Sequence, residues 1–335
     1  MTDRVCPDVP EAPTGVTRKP GVSRLGRILF TAVLLVGTAV RADDWLELRT
    51  PNFTVISEVS EKRTRNWGVE FELFRRGMSL VMPVDPAAVE PVTLVLFRTD
   101  RRLRAFKPME EGKPSRIAGY FAQAGGRKFI ALSVEGALDG VREVVFHEAV
   151  HWHLAAAERP RPPWLEEGLA AVFGNFRMSG SHFMIGAFRP EFMRHVQVAK
   201  PLPFAKLFGM GADGLGYNGM HADMTALFYQ QAWLTVHALI FGTEGVGTVP
   251  LAKYLQWPPT HPDPMKDFAS GFGVDVAKMD ERLANYLARG RFCTLTYSFD
   301  RRAVEAGFSL RAASAAEVDL TMGNLLVGAG RAPEA

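Results

Sequence analysis

The chain has 335 residues, 47% apolar and 22% charged, a composition that excludes wholesale disorder and allows two globular lobes. Its formal charge of +3 belongs to its start: residues 1–42 hold six of the 39 Lys/Arg and three of the 36 Asp/Glu, which leaves 33 of each. The rest of the chain is neutral, so the basic balance makes no case for nucleic-acid binding.

Residues 1–42 read as a secretory signal peptide. Arg18, Lys19, Arg24 and Arg27 precede an apolar run from Ile28 to Val40, and Val40-Arg41-Ala42 offers small residues for cleavage after Ala42, or after Ala39. Thirteen apolar residues fall short of the about 20 that a membrane span needs, so an exported, periplasmic or secreted protein without a stable span is expected. Cys6 goes with the leader and Cys293 is left alone, which predicts no intrachain disulfide.

From Trp45 to Glu58, Leu46, Leu48, Phe53 and Val55 alternate as in a pair of half-buried strands, with Pro51-Asn52 at the turn. Trp67, Val69, Phe71, Phe74 and Leu80 predict a helix over 61–80, and 92–97 reads as a short buried strand. Residues 117–124 and 127–133, joined by Gly125-Gly126, predict a β-hairpin. A helix apolar nearly all round follows Asp139-Gly140. It ends at Arg159-Pro160-Arg161-Pro162-Pro163, where Pro162 or Pro163 can open the next helix, 164–173, closed by Gly174. Further helices are expected at 222–241 and 275–289, and 178–220 has no clear periodicity.

The first of the proline-separated helices carries His147-Glu148-Ala149-Val150-His151. Histidines four apart lie on one helical face, roughly 5–6 Å between Cβ atoms, so both imidazoles can reach one Zn2+. Glu148, about 100° round the helix, flanks that ion as a base rather than binding it. A catalytic zinc takes a third protein ligand, and Glu167 in Trp164-Leu165-Glu166-Glu167-Gly168-Leu169-Ala170 is the candidate. Small residues one turn on, Ala170, Ala171 and Gly174, let the two helices approach. Glu166 looks along a different face.

HExxH followed by a tryptophan-led W-L-x-E-G-L-A helix resembles the gluzincin branch of zinc peptidases. The short proline-rich link between the helices is similar to peptidase-MA-like families of secreted bacterial proteins, as is the strand opening L-R-T-P-N-F-T-V at 48–55. Metzincins are excluded by Leu154 and Ala157, which stand where they require Gly and His. The resemblance implies an α+β, zincin-like fold: an N-terminal mixed sheet with the active-site helix (43–157), a mainly helical C-terminal lobe with the third ligand (158–298), and a helical tail (299–335).

It further implies His147, His151 and Glu167 as zinc ligands, Glu148 as general base, and Glu166 as the family's variable position. An oxyanion-stabilising tyrosine comes from a later helix, here Tyr229, with His237 and His221 behind it. Tyr229 also belongs to a stripe with Trp233, Val236, His237 and Ile240, the spacing of an ordinary core face. His153 points about 200° from His151 and reads as structural, while His182, His195 and His261 have no partner spacing.

The strand 127–133 resembles the edge on which zincins lay an extended peptide. No aminopeptidase-type G-x-M-x-N segment precedes it, so an endopeptidase acting on a peptide or protein substrate is expected. The alternative is a catalytically inactive zincin-fold protein that binds or assembles at the cell envelope. Gly323, Leu326, Gly330 and Ala335 match the first helix and turn of a tetratricopeptide repeat, a surface for a protein partner; an alanine-rich amphipathic tail fits equally.

Overall fold

In this computed structural model the described residues are 2–5, 45–82, 90–136, 138–155, 161–187, 201–210, 222–242, 247–256 and 258–334. Apart from 2–5, the segment read as a leader lies outside them. Strands β1 (Thr2–Val5), β2 (Leu46–Arg49) and β3 (Phe53–Ser57) precede helix α1 (Glu61–Val81) and β4 (Val92–Phe97). A short helix α2 (Asp100–Leu103), a small ladder of β5 (Met109–Glu110) with β6 (Lys113–Pro114), and the hairpin β7 (Gly119–Ala124) and β8 (Arg127–Ser133) follow. Then come α3 (Leu138–Leu154), α4 (Pro163–Gly174), β9 (Arg177–Ser179), β10 (His182–Ile185), α5 (Phe204–Gly209) and α6 (Ala222–Phe241). The chain continues through α7 (Thr248–Gln256), α8 (Pro264–Phe272), α9 (Met279–Arg289), β11 (Thr294–Ser298), α10 (Arg301–Glu305), β12 (Ser309–Ala312) and α11 (Ala315–Gly328).

The architecture is mixed α and β around a six-stranded mixed sheet ordered β12-β2-β3-β4-β8-β7. β3, β4 and β8 are parallel and the other neighbours antiparallel. Side chains alternate across the sheet, so each strand feeds two cores. One face, with Leu48, Val55, Leu94, Leu96, Ile130 and Leu132, packs under α1, α3 and α4. The other, with Ile56, Val95, Phe97, Phe129 and Ala131, is covered by Val318, Met322 and Leu325 of α11, spaced four and three residues apart on one helical stripe.

Three expectations change here. Residues 127–133 are not the sheet edge: β8 sits between β4 and β7, and β7 forms the edge on that side. The reason is non-local, because β8 pairs in parallel with β4, Lys128 beside Val92 and Ser133 beside Phe97, partners that hairpin periodicity cannot reveal. Cys293 is half of a disulfide, against the expectation of none. It directly precedes β11, the strand that pairs with β1 in a second sheet ordered β1-β11-β10-β9. Finally, the segment set apart as a tail joins the first sheet: β12 pairs with β2, and Ser314 and Glu317 form a capping box that starts α11. Ala335 lies outside the described residues. Among those residues no helix is long and apolar enough to cross a membrane.

Candidate metal centre

α3 is buried on nearly every side, and its rotation is locked by Phe146. That ring stacks on Phe74 with centroids 4.8 Å apart and lies 5.0 Å from Phe176. With the apolar side committed, His147 and His151 emerge, half-buried, toward α4. The start of α4 is pinned separately. Pro163 occupies its first turn, where the missing N–H costs nothing. Trp164 is buried among Phe204, Phe208 and Phe268 at 5.3–5.9 Å.

The two helices meet through glycine. A Cβ on Gly174 would fall 2.8 Å from the backbone N and Cα of His147, so only hydrogen allows this approach. On another face of α4, a Cβ on Gly168 would come within 2.6 Å of the Ala232 carbonyl oxygen of α6. α4 is thus clasped between α3 and α6, and Glu167, 7% exposed, is aimed at α3.

Three ligand-type atoms converge. His147 Nε2 and His151 Nε2 are 3.2 Å apart, and Glu167 Oε2 lies 3.3 Å from the first and 3.5 Å from the second. This group could hold a metal ion. Glu148, on the neighbouring face of α3, is half-buried. For His151, burial opposes the charged ring, but the carboxylates of Glu166, Glu167 and Glu148 outweigh it and push the pKa up to about 10.

Tyr229 lines a cavity of about 100 Å3 beside His147, with Glu143, Ala170, Gly174 and Trp233. The stripe on α6 therefore divides: Tyr229 and Trp233 face this cavity, whereas His237 is fully buried behind them. Its Nδ1 is 2.7 Å from Tyr286 Oη and its Nε2 is 2.9 Å from the Gly186 carbonyl oxygen. His153 turns away as expected, its Nε2 3.0 Å from the Met82 carbonyl, and burial holds its pKa below the ordinary value. His182 and His261 make local contacts elsewhere, while His195 and His221 lie outside the described residues.

Sequence reasoning passed over Glu166 and Arg161. Glu166 does leave α4 on a different face from Glu167, yet its Oε1 comes to 3.7 Å from His151 Nδ1. Arg161 Nη2 is 3.5 Å from the same carboxylate oxygen and donates to the Leu154 carbonyl at 3.1 Å. The available signal was the doubled Glu166-Glu167 next to a basic residue in the link. Comparison with protein-family models and with curated proteins returns no match.

Proposed function

We propose that this chain is a zinc-dependent peptidase of gluzincin type with a zincin-like fold, exported from the cell and acting as an endopeptidase. The observation that carries the reading is the triangle of two imidazole nitrogens and one carboxylate oxygen, with edges of 3.2, 3.3 and 3.5 Å. Donors about 2.0–2.1 Å from a tetrahedral centre stand about 3.3–3.4 Å apart. The donor set fits zinc in chemistry and in spacing, and three protein ligands leave the fourth position for substrate chemistry.

What zinc supplies when bound is Lewis acidity toward water and toward the scissile carbonyl. The chain's own groups do the rest. Glu148 takes the proton of the attacking water and returns it to the leaving amine, a relay worth roughly 10²–10⁴-fold. Tyr229 donates a hydrogen bond to the oxygen that gains charge.

An extended peptide pairs with the outer edge of β7. Ser133 N donates to Ala118 O, so alternation along the antiparallel ladder turns the N–H and C=O groups of Gly119, Phe121 and Gln123 outward. A Cβ on Gly328 of α11 would lie 3.2 Å from Gln123 N, so the terminal helix closes the far end of this edge. At the near end, Gly119 abuts Val145, two residues before His147.

The purified chain is expected to bind one equivalent of zinc and to hydrolyse an unstructured protein such as casein. Glu148→Gln should keep the metal and lose at least about 100-fold in rate. Zinc bound with no Glu148-dependent hydrolysis would favour an inactive, zinc-bearing envelope protein, and absence of zinc binding would remove both readings.

A further inference from the structure

His151 has a carboxylate facing each of its ring nitrogens. Nε2 lies 3.5 Å from Glu167 and belongs to the ligand triangle, while Nδ1 lies 3.7 Å from Glu166 Oε1. The two nitrogens point in divergent directions, so Glu166 cannot share an ion faced by Nε2. At 3.7 Å its influence is electrostatic, short of a full hydrogen bond.

Glu166 is itself held from behind. The side chain of Arg161 is only 7% exposed, reaches Glu166 Oε1 at 3.5 Å, and anchors on the carbonyl of Leu154, the last residue of α3. One buried guanidinium therefore ties the end of the helix that carries His151 to the carboxylate beside that histidine.

We propose that Glu166 is a positioning residue for the metal: its carboxylate keeps the His151 proton on Nδ1 and the Nε2 lone pair turned into the triangle, and Arg161 fixes the carboxylate in place. Histidine ligands whose second nitrogen faces a carboxylate are better oriented and more basic, and loss of such a partner typically weakens metal binding 10–100-fold. The inference rests on reading His147, His151 and Glu167 as a metal site, and is tested apart from it.

The measurement is zinc affinity of the full chain by competition with a chelator, together with the visible absorption band of the Co2+-loaded protein and thermal unfolding of the stripped protein. Glu166→Gln should bind zinc roughly 10–100-fold more weakly and shift the Co2+ band, with unfolding unchanged. Arg161→Gln should move affinity and band in the same direction by less, and it carries the test if Glu166→Gln does not fold. Affinity within twofold of wild type, or a loss that comes with a lower unfolding temperature and an unmoved Co2+ band, overturns the proposal and leaves the metal site standing. Failure of the unaltered chain to bind zinc removes the metal site, and the proposal with it.

Discussion

Histidines on two helices of this molecule, one on either side of α4, end differently: His237 on α6 is fully buried, whereas His147 and His151 on α3 are half-buried. Around His237 each ring nitrogen meets a group of complementary polarity: Nε2–H donates to the Gly186 carbonyl and Nδ1 accepts from the Tyr286 hydroxyl. Trp233 stacks on the ring at 4.4 Å and Phe241 packs at 4.6 Å. Between α3 and α4, two imidazole nitrogens and a carboxylate oxygen converge instead, three ligand-type atoms close to one another. A place on a packed helix is common to both, so it does not separate a structural histidine from a ligand. The polarity of the partners does.

The comparison breaks most directly at Glu167. Glu167→Ala should abolish stoichiometric zinc binding, whereas His237→Phe should leave zinc affinity unchanged and lower stability by about 1–3 kcal/mol through its lost pairings, read by denaturant unfolding. A reversal of these two outcomes would exchange the roles of the two groups. Next in size are the glycines that clasp α4. Gly174→Ala and Gly168→Ala should each destabilise by roughly 1–3 kcal/mol through overpacking. Only Gly174→Ala, which forces α4 away from His147, should also weaken zinc binding. Equal effects on affinity would mean that the spacing of α3 and α4 does not control the ligand triangle.

The smallest effect is a pH dependence. Because the His151 pKa is raised to about 10, a proton must leave this ring when metal binds. Zinc affinity should rise by up to about tenfold per pH unit, the limit for one displaced proton, with a flat profile between pH 7 and 9 as the contrary result. Without metal the sign for folding is opposite at the two nearby histidines. His151, raised, contributes stability that is present below its unfolded value of 6.5 and is lost as pH rises toward about 10. His153, lowered by burial, contributes stability that is present above 6.5 and is lost as pH falls below it.

Much of the centre was legible because its parts are local. His147 and His151 share a face through helical spacing alone, and Pro163, Trp164 and Gly174 delimit α4 as their chemistry requires. The convergence of Glu167 on both imidazoles was anticipated from small residues one turn on, of which Gly174 does meet His147. The edge of the sheet was misread because parallel pairing of β8 with β4 involves partners far apart in sequence. Glu166 was set aside by a helical-wheel argument that is correct for α4 alone but ignores the second nitrogen of His151. The C-terminal segment looked like a tail because β12 is only four residues long and mostly exposed, so its pairing with β2 left no alternating signal.

The succession of the main elements from β2 to α4, the helical face shared by the two histidines and the boundaries of α4 were determined by the sequence alone, since each depends on residues close to one another in the chain. Which strand lies outermost, how closely α3 meets α4 and which histidine is paired or converging were decided by tertiary structure. These depend on where distant segments are brought together, and a single Cβ or one carboxylate rotated across a helix is enough to change them.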